Sequence, residues 1–430
     1  MTRHTDPETV AKTVLAMLRE GRFDDLEELF APVLAAAVSA DTVRTGWTGE
    51  IAKTGQVRAL GEVLLTPVDD QLTRAVVPLH CENGELELRL AVDADGRLHG
   101  LRLAQPAESA WTRPSYATPR RFTEQDITLE CGPLTVPGTL TMPRGGRDRP
   151  GIVLIASGPS DRDVTVGPNK PFKDLAWGLA SRGVAVLRFD KVTHVHTSLE
   201  HEPGGTMVEE YLPNVLAAVR LLQQQPGVDP ARVFVAGHSG GGKAAVRAAA
   251  ADPSIAGVVM LAADTIPLPR AAARIFGYIA GIDPASALAH STETIARTED
   301  PALSLETPSA ELLFGWPASY WLDLREFDQV ATAASLDRPI LVLQGGRDYQ
   351  VTEADDLAGW RAGLAGRPGV TIKVFAADDH MFFPGTGPSV PANYQLPQHV
   401  DPEVIAAIAD WLVPGAGRGP MSRLLAHFGR

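Results

Sequence analysis

The feature that most constrains the fold is a regular alternation, from about Phe122 onward, of short apolar runs with amphipathic segments. The segments at 171–182 and 207–225 have helical spacing, whereas the apolar runs are continuous in Val, Ile and Leu. Such runs are typical of parallel strands that helices cover on both faces. The runs are GIVLIAS, VAVLRFD, RVFVAG, IAGVVMLA, PILVLQG and TIKVFA, preceded by a strand pair in ITLECG and VPGTLTMP. We therefore predict an α/β fold with a mostly parallel sheet.

Composition limits the class of partner. The 430 residues carry 39 basic and 52 acidic side chains, a net charge of −13, so we expect no binding to nucleic acid or to anionic membranes. No run of about 18 apolar residues is present to span a bilayer. The N-terminus, MTRHTDPETV, has no apolar signal region, which predicts a cytoplasmic protein. Cys81 and Cys131 are too few for a disulfide framework, and we expect no metal site.

The first hundred residues have a different organisation. Asp6 and Pro7 predict the N-cap and first position of a helix, and a second helix is expected to carry Leu26, Leu29, Phe30, Val33 and Leu34. Alternating residues over 85–92 and 98–103 then predict antiparallel strands joined by a turn. Helices followed by antiparallel strands indicate a small α+β domain. We assign it to 1–105.

The other boundaries follow from changes of pattern. A proline-bearing segment over 106–121 has no sustained period and predicts a linker. The α/β domain is expected over 122–414, with a C-terminal tail over 415–430. Within it, an irregular stretch over about 264–338 contains the aromatic run GWPASYWLDL and predicts a mostly helical cap.

A strand, a sharp turn and an Ala-rich helix follow one another in RVFVAGHSGGGKAAVRAAAA. The turn satisfies G-x-S-x-G with Ser239 at its centre. Glycines are needed there because strand and helix pass closely, and the serine hydroxyl is thereby exposed above the sheet. We predict that Ser239 is a nucleophile; the alternative is a glycine-rich turn with a bystander serine.

A serine nucleophile needs a base, which an acid orients. Asp348 follows the strand PILVLQG, and His380 follows TIKVFA. Both therefore belong to the loops at the carboxyl ends of later strands, in the chain order Ser, Asp, His. We predict Asp348 as the acid and His380 as the base.

Other titratable residues offer alternatives. Asp378 and Asp379 directly precede His380, where they cannot easily reach its Nδ1 atom. His238, beside the serine, is better explained by packing than by catalysis. His194, His196 and His201 could suggest a metal, but without matching carboxylate or cysteine spacing we interpret them as part of a solvated loop.

An oxyanion hole requires two backbone N–H groups. Gly240 follows the nucleophile and supplies one. The loop after GIVLIAS supplies the other; Pro159 has no N–H, so Gly158 is the better donor, with Ser160 behind it. The adjoining residues Asp161–Asp163 are interpreted as a salt-bridged brace of this loop.

These motifs identify residues 122–414 as similar to the α/β-hydrolase superfamily, in its branch of dienelactone hydrolases and bile-acid acyltransferase-like bacterial esterases. The resemblance lies in the loop 156–163, in the RFDK strand end at 188–191 and in the acid loop 345–352. It implies a Ser239–His380–Asp348 triad that acts on carboxylic esters. Two positions depart from the branch: Ala156 replaces a frequent glycine, and Gly240 replaces a bulkier residue, which would widen the acyl pocket. Residues 1–105 resemble the nuclear-transport-factor-like cone domain that precedes some of these esterases.

We therefore expect a serine esterase or lactonase that works through an acyl-enzyme on a small-molecule acyl substrate, with no metal or organic cofactor. The aromatic residues Trp316, Tyr320 and Phe382 are the predicted substrate pocket, although core packing would explain them as well. The alternatives are an acyltransferase or cyclase that uses the same triad, and a non-hydrolytic binding protein. The N-terminal domain is predicted to drive formation of a homodimer or to wall off one side of the active-site cleft.

Overall fold

A computed structural model describes residues 6–68, 72–104, 111–282 and 291–413. The described residues form two compact units. Residues 6–104 make the first unit, and residues 111–282 with 291–413 make the second. No helix within these ranges is both long and apolar enough to cross a membrane. The predicted cytoplasmic location stays a prediction.

The first unit is α+β, as its pattern predicts. Its helices are α1 (Pro7–Glu20), α2 (Phe23–Glu27), α3 (Pro32–Ala37) and α4 (Ala40–Thr54). Its strands are β1 (Val57–Leu60), β2 (Leu64–Pro67), β3 (Leu72–Cys81), β4 (Gly84–Asp93) and β5 (Leu98–Ala104). The strands form an antiparallel sheet in the order β1-β3-β4-β5, with β2 also paired to β3. The apolar faces of α1 and of β3 and β4 form a core that includes Val14, Leu79 and Leu88.

Two details of this unit differ from the sequence prediction. The expected second helix is broken into α2 and α3, because Pro32 cannot continue a helix and holds the preceding Ala31 extended, at φ −67° and ψ 155°. Phe30 instead forms a bridge with Leu98. Helix α4 was not predicted, since its apolar residues are few. The Asp6 cap of α1 is confirmed: its carboxylate accepts from the backbone N–H groups of Glu8 and Thr9.

The second unit is built on an eight-stranded sheet. Its strands are β6 (Phe122–Cys131), β7 (Leu134–Pro143), β8 (Arg149–Ile155), β9 (Ala185–Phe189), β10 (Val228–His238), β11 (Val258–Leu261), β12 (Ile340–Gly345) and β13 (Val370–Phe375). The order is β13-β12-β11-β10-β8-β9-β7-β6. The six strands from β8 to β13 pair in parallel, and the antiparallel pair β6 and β7 forms one edge. This confirms the predicted α/β class and the mostly parallel sheet.

Helices cover both faces of that sheet. The helices of this unit are α5 (Pro171–Ala180), α6 (Val192–Val195), α7 (Met207–Gln223), α8 (Gly241–Ala251), α9 (Leu268–Ile282), α10 (Ser291–Glu299), α11 (Ala318–Glu326), α12 (Gln329–Ser335), α13 (Ala358–Gly363) and α14 (Pro402–Leu412). Residues of α9, α10 and α11 pack into an apolar cluster of their own rather than onto the sheet. One core lies between the sheet and α7, α8 and α13, and the other lies between the sheet and α5 and α14. Because β8, β9, β11 and β12 are buried on both faces, they are predominantly apolar, whereas the edge strand β6 is mostly exposed.

The predicted linker and cap can be located in part. Residues 105–110 of the linker lie outside the described residues, as does the tail from 414. Trp111 packs on Trp177 with ring centroids 4.9 Å apart and donates to Asp174, so the end of the predicted linker belongs to the second unit. The expected cap contains α9 to α12, with 283–290 not described. Its last helix, α12, contributes Ala333 to the main core rather than to an overhanging layer.

Candidate active site

Ser239 lies in the turn between β10 and α8. Its φ of +54° is a left-handed conformation that a non-glycine residue adopts at a cost in energy, and such strain is characteristic of functional turns. The flanking glycines are required sterically. A Cβ on Gly237 would lie 2.0 Å from the carbonyl oxygen of Gly241, and a Cβ on Gly241 would lie 2.4 Å from that of Ile155. The predicted strand–turn–helix motif is therefore present.

Asp348 and His380 meet at the carboxyl ends of β12 and β13. The His380 Nδ1–H donates to Asp348 Oδ2 over 2.7 Å, and both side chains are almost completely buried. The other carboxylate oxygen, Oδ1, accepts from the backbone N–H groups of Gln350 and Val351 at 2.8 and 2.9 Å. This arrangement fixes the imidazole tautomer and leaves Nε2 of His380 as the nitrogen able to accept a proton.

The electrostatics of the two neighbouring histidines differ. Burial lowers the pKa of His380, but the Asp348 carboxylate outweighs burial, so the pKa is raised above its usual value. Burial lowers the pKa of His238 to about 3, with a further contribution from His380. His238 is therefore neutral, and its Nε2–H donates to the backbone carbonyl of His380 over 2.8 Å. His238 thus positions the loop that carries His380.

The two other aspartates of this loop have different surroundings. Asp379 Oδ1 accepts from the backbone N–H groups of Met381 and Phe383, so this carboxylate holds the turn rather than the imidazole. Asp378 is fully buried, no N–H group of the described residues donates to its carboxylate, and its side-chain hydrogen bond is with the carboxyl group of Asp401. Burial, together with the nearby Asp401, raises the pKa of Asp378 to about 8.

The two predicted oxyanion donors lie in neighbouring loops. The N–H groups of Gly158 and Gly240 have no acceptor within the described ranges, whereas the N–H of Ser160 donates to the carbonyl of Gly158. A Cβ on Gly240 would lie 2.9 Å from Ser157 Oγ. Glycine at 240 therefore leaves room for the Ser157 hydroxyl, and the wider acyl pocket that the sequence suggests stays a prediction.

Ion pairs fix the loop 156–163, which carries Gly158, to the sheet. Arg162 binds Asp190 with both Nε and Nη2, at 2.8 and 3.1 Å, and its Nη1 donates to the carbonyl of Gly138. Asp163 accepts from Arg188 Nε at 2.8 Å and from Lys170 at 3.0 Å. These contacts match the brace that the sequence predicts for this segment.

The three predicted pocket aromatics lie in two separate places. Trp316 and Tyr320 line a cavity of about 360 Å³ that Ser239, Asp348 and His380 do not line. Phe382 is 3% exposed and belongs to the core that also contains Phe172, beside a void of only about 10 Å³. A positive φ of 59° at Phe382 turns its side chain into this core.

The histidines after β9 contact three separate carbonyl groups. His194 binds the carbonyl of Pro159, His196 that of Thr135, and His201 that of Gly315. They therefore fix the local chain rather than converge on one point.

Two features of the site were missed by sequence reasoning. Lys243 and Asp264 form a buried ion pair between α8 and the end of β11, and Asp264 Oδ1 has no partner within the described residues. In addition, Tyr278 of α9 stacks on Tyr349 of the acid loop, with ring centroids 4.6 Å apart. The lysine that ends the GGGK sequence was an indication of the ion pair. No sequence pattern indicated the stacking of Tyr278 on Tyr349, because that contact depends on how the predicted cap folds.

The chain is similar to several known proteins. Residues 169–383, half of the chain, match the family described as serine aminopeptidase, S33. Esterase EstD of Thermotoga maritima is 38% identical over 338 residues, which are 78% of this chain and 78% of that protein. Est1E from Butyrivibrio proteoclasticus, a solved structure, is 17% identical and covers 67% of this chain and 97% of its own, with a TM-score of 0.43. An esterase of Pyrococcus furiosus is 16% identical, with coverages of 71% and 98% and a TM-score of 0.44. On the family match and the EstD identity, the chain belongs to the serine aminopeptidase S33 family of α/β-hydrolases.

Proposed function

We propose that this chain hydrolyses carboxylic esters through a covalent acyl-enzyme on Ser239. The observation that carries the proposal is the 2.7 Å hydrogen bond between His380 Nδ1 and Asp348 Oδ2, at the same sheet edge as the strained turn of Ser239. The 38% identity to a protein named as an esterase supports an ester as the substrate. The substrate is a small molecule.

In the first half of the reaction, Ser239 Oγ attacks the ester carbonyl carbon while His380 Nε2 takes the hydroxyl proton. The Asp348 carboxylate stabilises the imidazolium that forms. The negative charge that develops on the carbonyl oxygen is stabilised by the N–H groups of Gly158 and Gly240, which have no other acceptor in the described chain. Collapse of this intermediate breaks the bond to the alcohol, which leaves with the proton from His380.

In the second half, water replaces the alcohol. His380 Nε2 takes a proton from the water as its oxygen attacks the acyl carbon, and the same two amides stabilise the oxyanion. Collapse breaks the bond to Ser239 Oγ, which recovers its proton from His380, and the carboxylic acid is released. Each proton therefore moves through Nε2, whose orientation depends on the Asp348 contact.

The first test is replacement of the nucleophile. Ser239→Ala should lower kcat for 4-nitrophenyl butyrate by about 10³- to 10⁶-fold, the range for a triad nucleophile, and should abolish labelling by a fluorophosphonate. Ser335→Ala, an exposed serine on α12, is the matched control and should retain both. Retention of more than a tenth of the activity by Ser239→Ala would refute the proposal.

We also propose that residues 1–105 form an accessory domain that drives dimerisation. The support is a group of exposed apolar side chains on β1 and β2: Leu60, Leu64 and Leu65, which are 42, 57 and 42% exposed. Homodimers with self-complementary surfaces are the commonest soluble oligomers. Light scattering should therefore give the mass of a dimer for the full chain and of a monomer for Leu64→Glu. Val33→Glu, equally exposed on α3, should leave the dimer intact; a monomeric wild-type chain would refute the proposal.

A further inference from the structure

The second unit contains a cleft that arginine side chains line. It has a volume of about 600 Å³, within the range of small-molecule sites. Its charged lining residues are Arg120, Arg121, Arg144, Arg149, Arg182 and Asp410. Five guanidinium groups against one carboxylate give it a net charge of +4, whereas the whole chain carries −13. We call it the arginine cleft.

The arginine cleft lies at the edge of the sheet opposite the catalytic turn. Arg149 is the first residue of β8, and Arg182 lies three residues before β9. Arg144 directly follows β7, whose end pairs with the start of β9, and Arg121 directly precedes β6. Gly158, by contrast, follows the carboxyl end of β8. The length of β8 puts about 20 Å between the two edges, so a molecule in the cleft touches no reacting atom.

The guanidinium groups of the arginine cleft have no counter-charge within the described ranges. Elsewhere in the unit Arg162 binds Asp190 at 2.8 Å, but no described carboxylate forms an ion pair with any of the five lining arginines, and Asp410 pairs with none of them. Burial lowers the pKa of Arg182, and nearby negative groups, Asp410 among them, offset this only in part. Like charges held together repel one another, so an anion that enters the cleft relieves the repulsion.

Backbone carbonyl groups orient the lining arginines without cancelling their charge. Arg121 Nη1 donates to the carbonyl of Ser181 over 3.2 Å, and Arg144 Nε donates to that of Phe122 over 3.1 Å. Arg182 Nη1 donates to the carbonyl four residues before it, also over 3.1 Å. A guanidinium group has five N–H donors, so most of the donors of these three side chains remain for a ligand.

The backbone is shaped around the guanidinium of Arg149. Its Nη1 donates to the carbonyl of Gly183 over 3.4 Å, and its Nη2 donates to the carbonyls of Arg144, over 3.1 Å, and Gly145. A Cβ on Gly146 would lie 2.6 Å from this Nη2, and a Cβ on Gly183 would lie 2.9 Å from Nη1. Glycine at both positions therefore makes room for Arg149, and this charge is fixed in place.

The rest of the lining limits the kind of anion. The uncharged lining residues are Pro143, Ala180, Ser181, Gly183 and Ala409, so no aromatic ring of the described chain lines the cleft. A nucleobase or an aromatic acid would find no stacking surface there. Guanidinium groups bind phosphate oxygens through paired N–H donors, and neighbouring phosphates in a chain can bind several guanidinium groups at once. A compact chain of phosphates fits these surfaces.

We propose that the arginine cleft binds an oligophosphate chain of two or three phosphates. Arg120, Arg121 and Arg144 are exposed and offer free donors, while the half-buried Arg149 and Arg182 add fixed positive charge. The ligand connects four separate segments of the chain, and it therefore stabilises the second unit. Binding needs neither a nucleophilic serine nor ester hydrolysis, so the proposal stands apart from the proposed function.

Isothermal titration calorimetry on the full-length protein at low ionic strength tests the binding. Tripolyphosphate should bind with a Kd on the order of 10 μM, and orthophosphate at least tenfold more weakly, because one phosphate meets fewer arginines. ATP without magnesium distinguishes the source of the chain: affinity equal to or below that of tripolyphosphate identifies a free oligophosphate, and greater affinity identifies a nucleotide. Equal affinity for orthophosphate, or a Kd above about 1 mM for tripolyphosphate, would overturn the proposal.

Variants then connect binding to the arginine cleft. Arg120→Gln/Arg144→Gln should weaken tripolyphosphate binding at least tenfold, whereas Asp410→Asn removes the one lining carboxylate and should strengthen it about threefold. The matched control is Arg113→Gln/Arg361→Gln, which changes two exposed arginines of the same unit that do not line the cleft. It should leave Kd within about twofold of wild type. Equal effects of the two double variants, or weaker binding by Asp410→Asn, would overturn the proposal.

A last titration separates a small ligand from an extended polyanion. A single-stranded DNA of twenty nucleotides should not displace tripolyphosphate, because the cleft holds only a few phosphates and the molecule as a whole is strongly acidic. Thermal unfolding gives a second readout: tripolyphosphate at about 100 times its Kd should raise Tm by several degrees in wild type and in Ser239→Ala alike. DNA that binds more tightly than tripolyphosphate, and that loses affinity in Arg120→Gln/Arg144→Gln, would overturn the proposal in favour of a nucleic-acid surface.

Discussion

Replacing Asp378 by asparagine should change how the stability of the second unit depends on pH. Asp378 lies two residues before His380 and is fully buried, and among the described residues its side chain forms a hydrogen bond only with the carboxyl group of Asp401. Burial and the nearby carboxylates of Asp401, Asp379 and Glu403 raise its pKa from 3.8 to about 8. The Arg347 guanidinium donates to the backbone carbonyls of Ala377 and Gly387 rather than to the Asp378 carboxylate.

The magnitude follows from the two pKa values. Between pH 4 and 8 the unfolded chain loses this proton whereas the folded chain keeps it, so a raised pKa makes folding less favourable as the pH rises. One pKa unit corresponds to about 1.4 kcal/mol. The penalty is then about 0.5 kcal/mol at pH 4, about 4 kcal/mol at pH 7, and constant well above pH 8. An asparagine side chain cannot ionise, so Asp378→Asn should remove this dependence.

Urea unfolding at pH 4, 5.5, 7 and 8.5, followed by tryptophan fluorescence, measures the effect. Six of the seven tryptophans belong to the second unit, so the signal reports mainly on it. The free energy of unfolding of Asp378→Asn relative to wild type should rise by about 4 kcal/mol from pH 4 to pH 7. Asp337→Asn, an exposed aspartate, is the control for the change of charge. A difference from wild type that stays constant with pH would refute the reasoning.

Two further substitutions test the site. Asp348→Asn should lower kcat for 4-nitrophenyl butyrate by about 10⁴-fold, as the same change does in another serine enzyme, because it favours the wrong tautomer of His380. Asp379→Asn should lower kcat less than about tenfold. A reversal of these effects would show that the acid is misassigned. Gly240→Ala should leave kcat within about threefold of wild type, since its Cβ would lie 2.9 Å from Ser157 Oγ, the rotatable end of a side chain, and 3.8 Å from Ser157 Cβ. A loss of more than about tenfold would show that the Ser157 hydroxyl cannot turn away without moving the loop that carries Gly158.

The turn at Ser239 was predictable because its constraints are local. Strand and helix can cross only because Gly237 and Gly241 lack a Cβ, so the G-x-S-x-G sequence by itself predicts the shape of the turn. The contact between Asp348 and His380 was predictable for a topological reason. Parallel strands end at one edge of a sheet, and loops that follow adjacent strands must meet there.

The surroundings of the site depend on contacts between residues far apart in the chain. Tyr320 is placed by its bond to Glu210, which no periodicity reveals. Phe382 adjoins His380 in sequence, but its positive φ directs it into the core instead of a pocket. Pro32 indicated a break between α2 and α3 in the sequence, but the apolar spacing on either side of it favoured the prediction of one continuous helix.

The central claim is that Ser239 carries the acyl group, and intact-protein mass spectrometry after an acid quench tests it most directly. Wild-type protein mixed with excess 4-nitrophenyl acetate should gain the mass of one acetyl group, and peptide mapping should place it on Ser239. Asp348→Asn should form the same adduct more slowly, and Ser239→Ala should form none. Steady turnover without an adduct, or an adduct on another residue that accounts for turnover, would contradict the account.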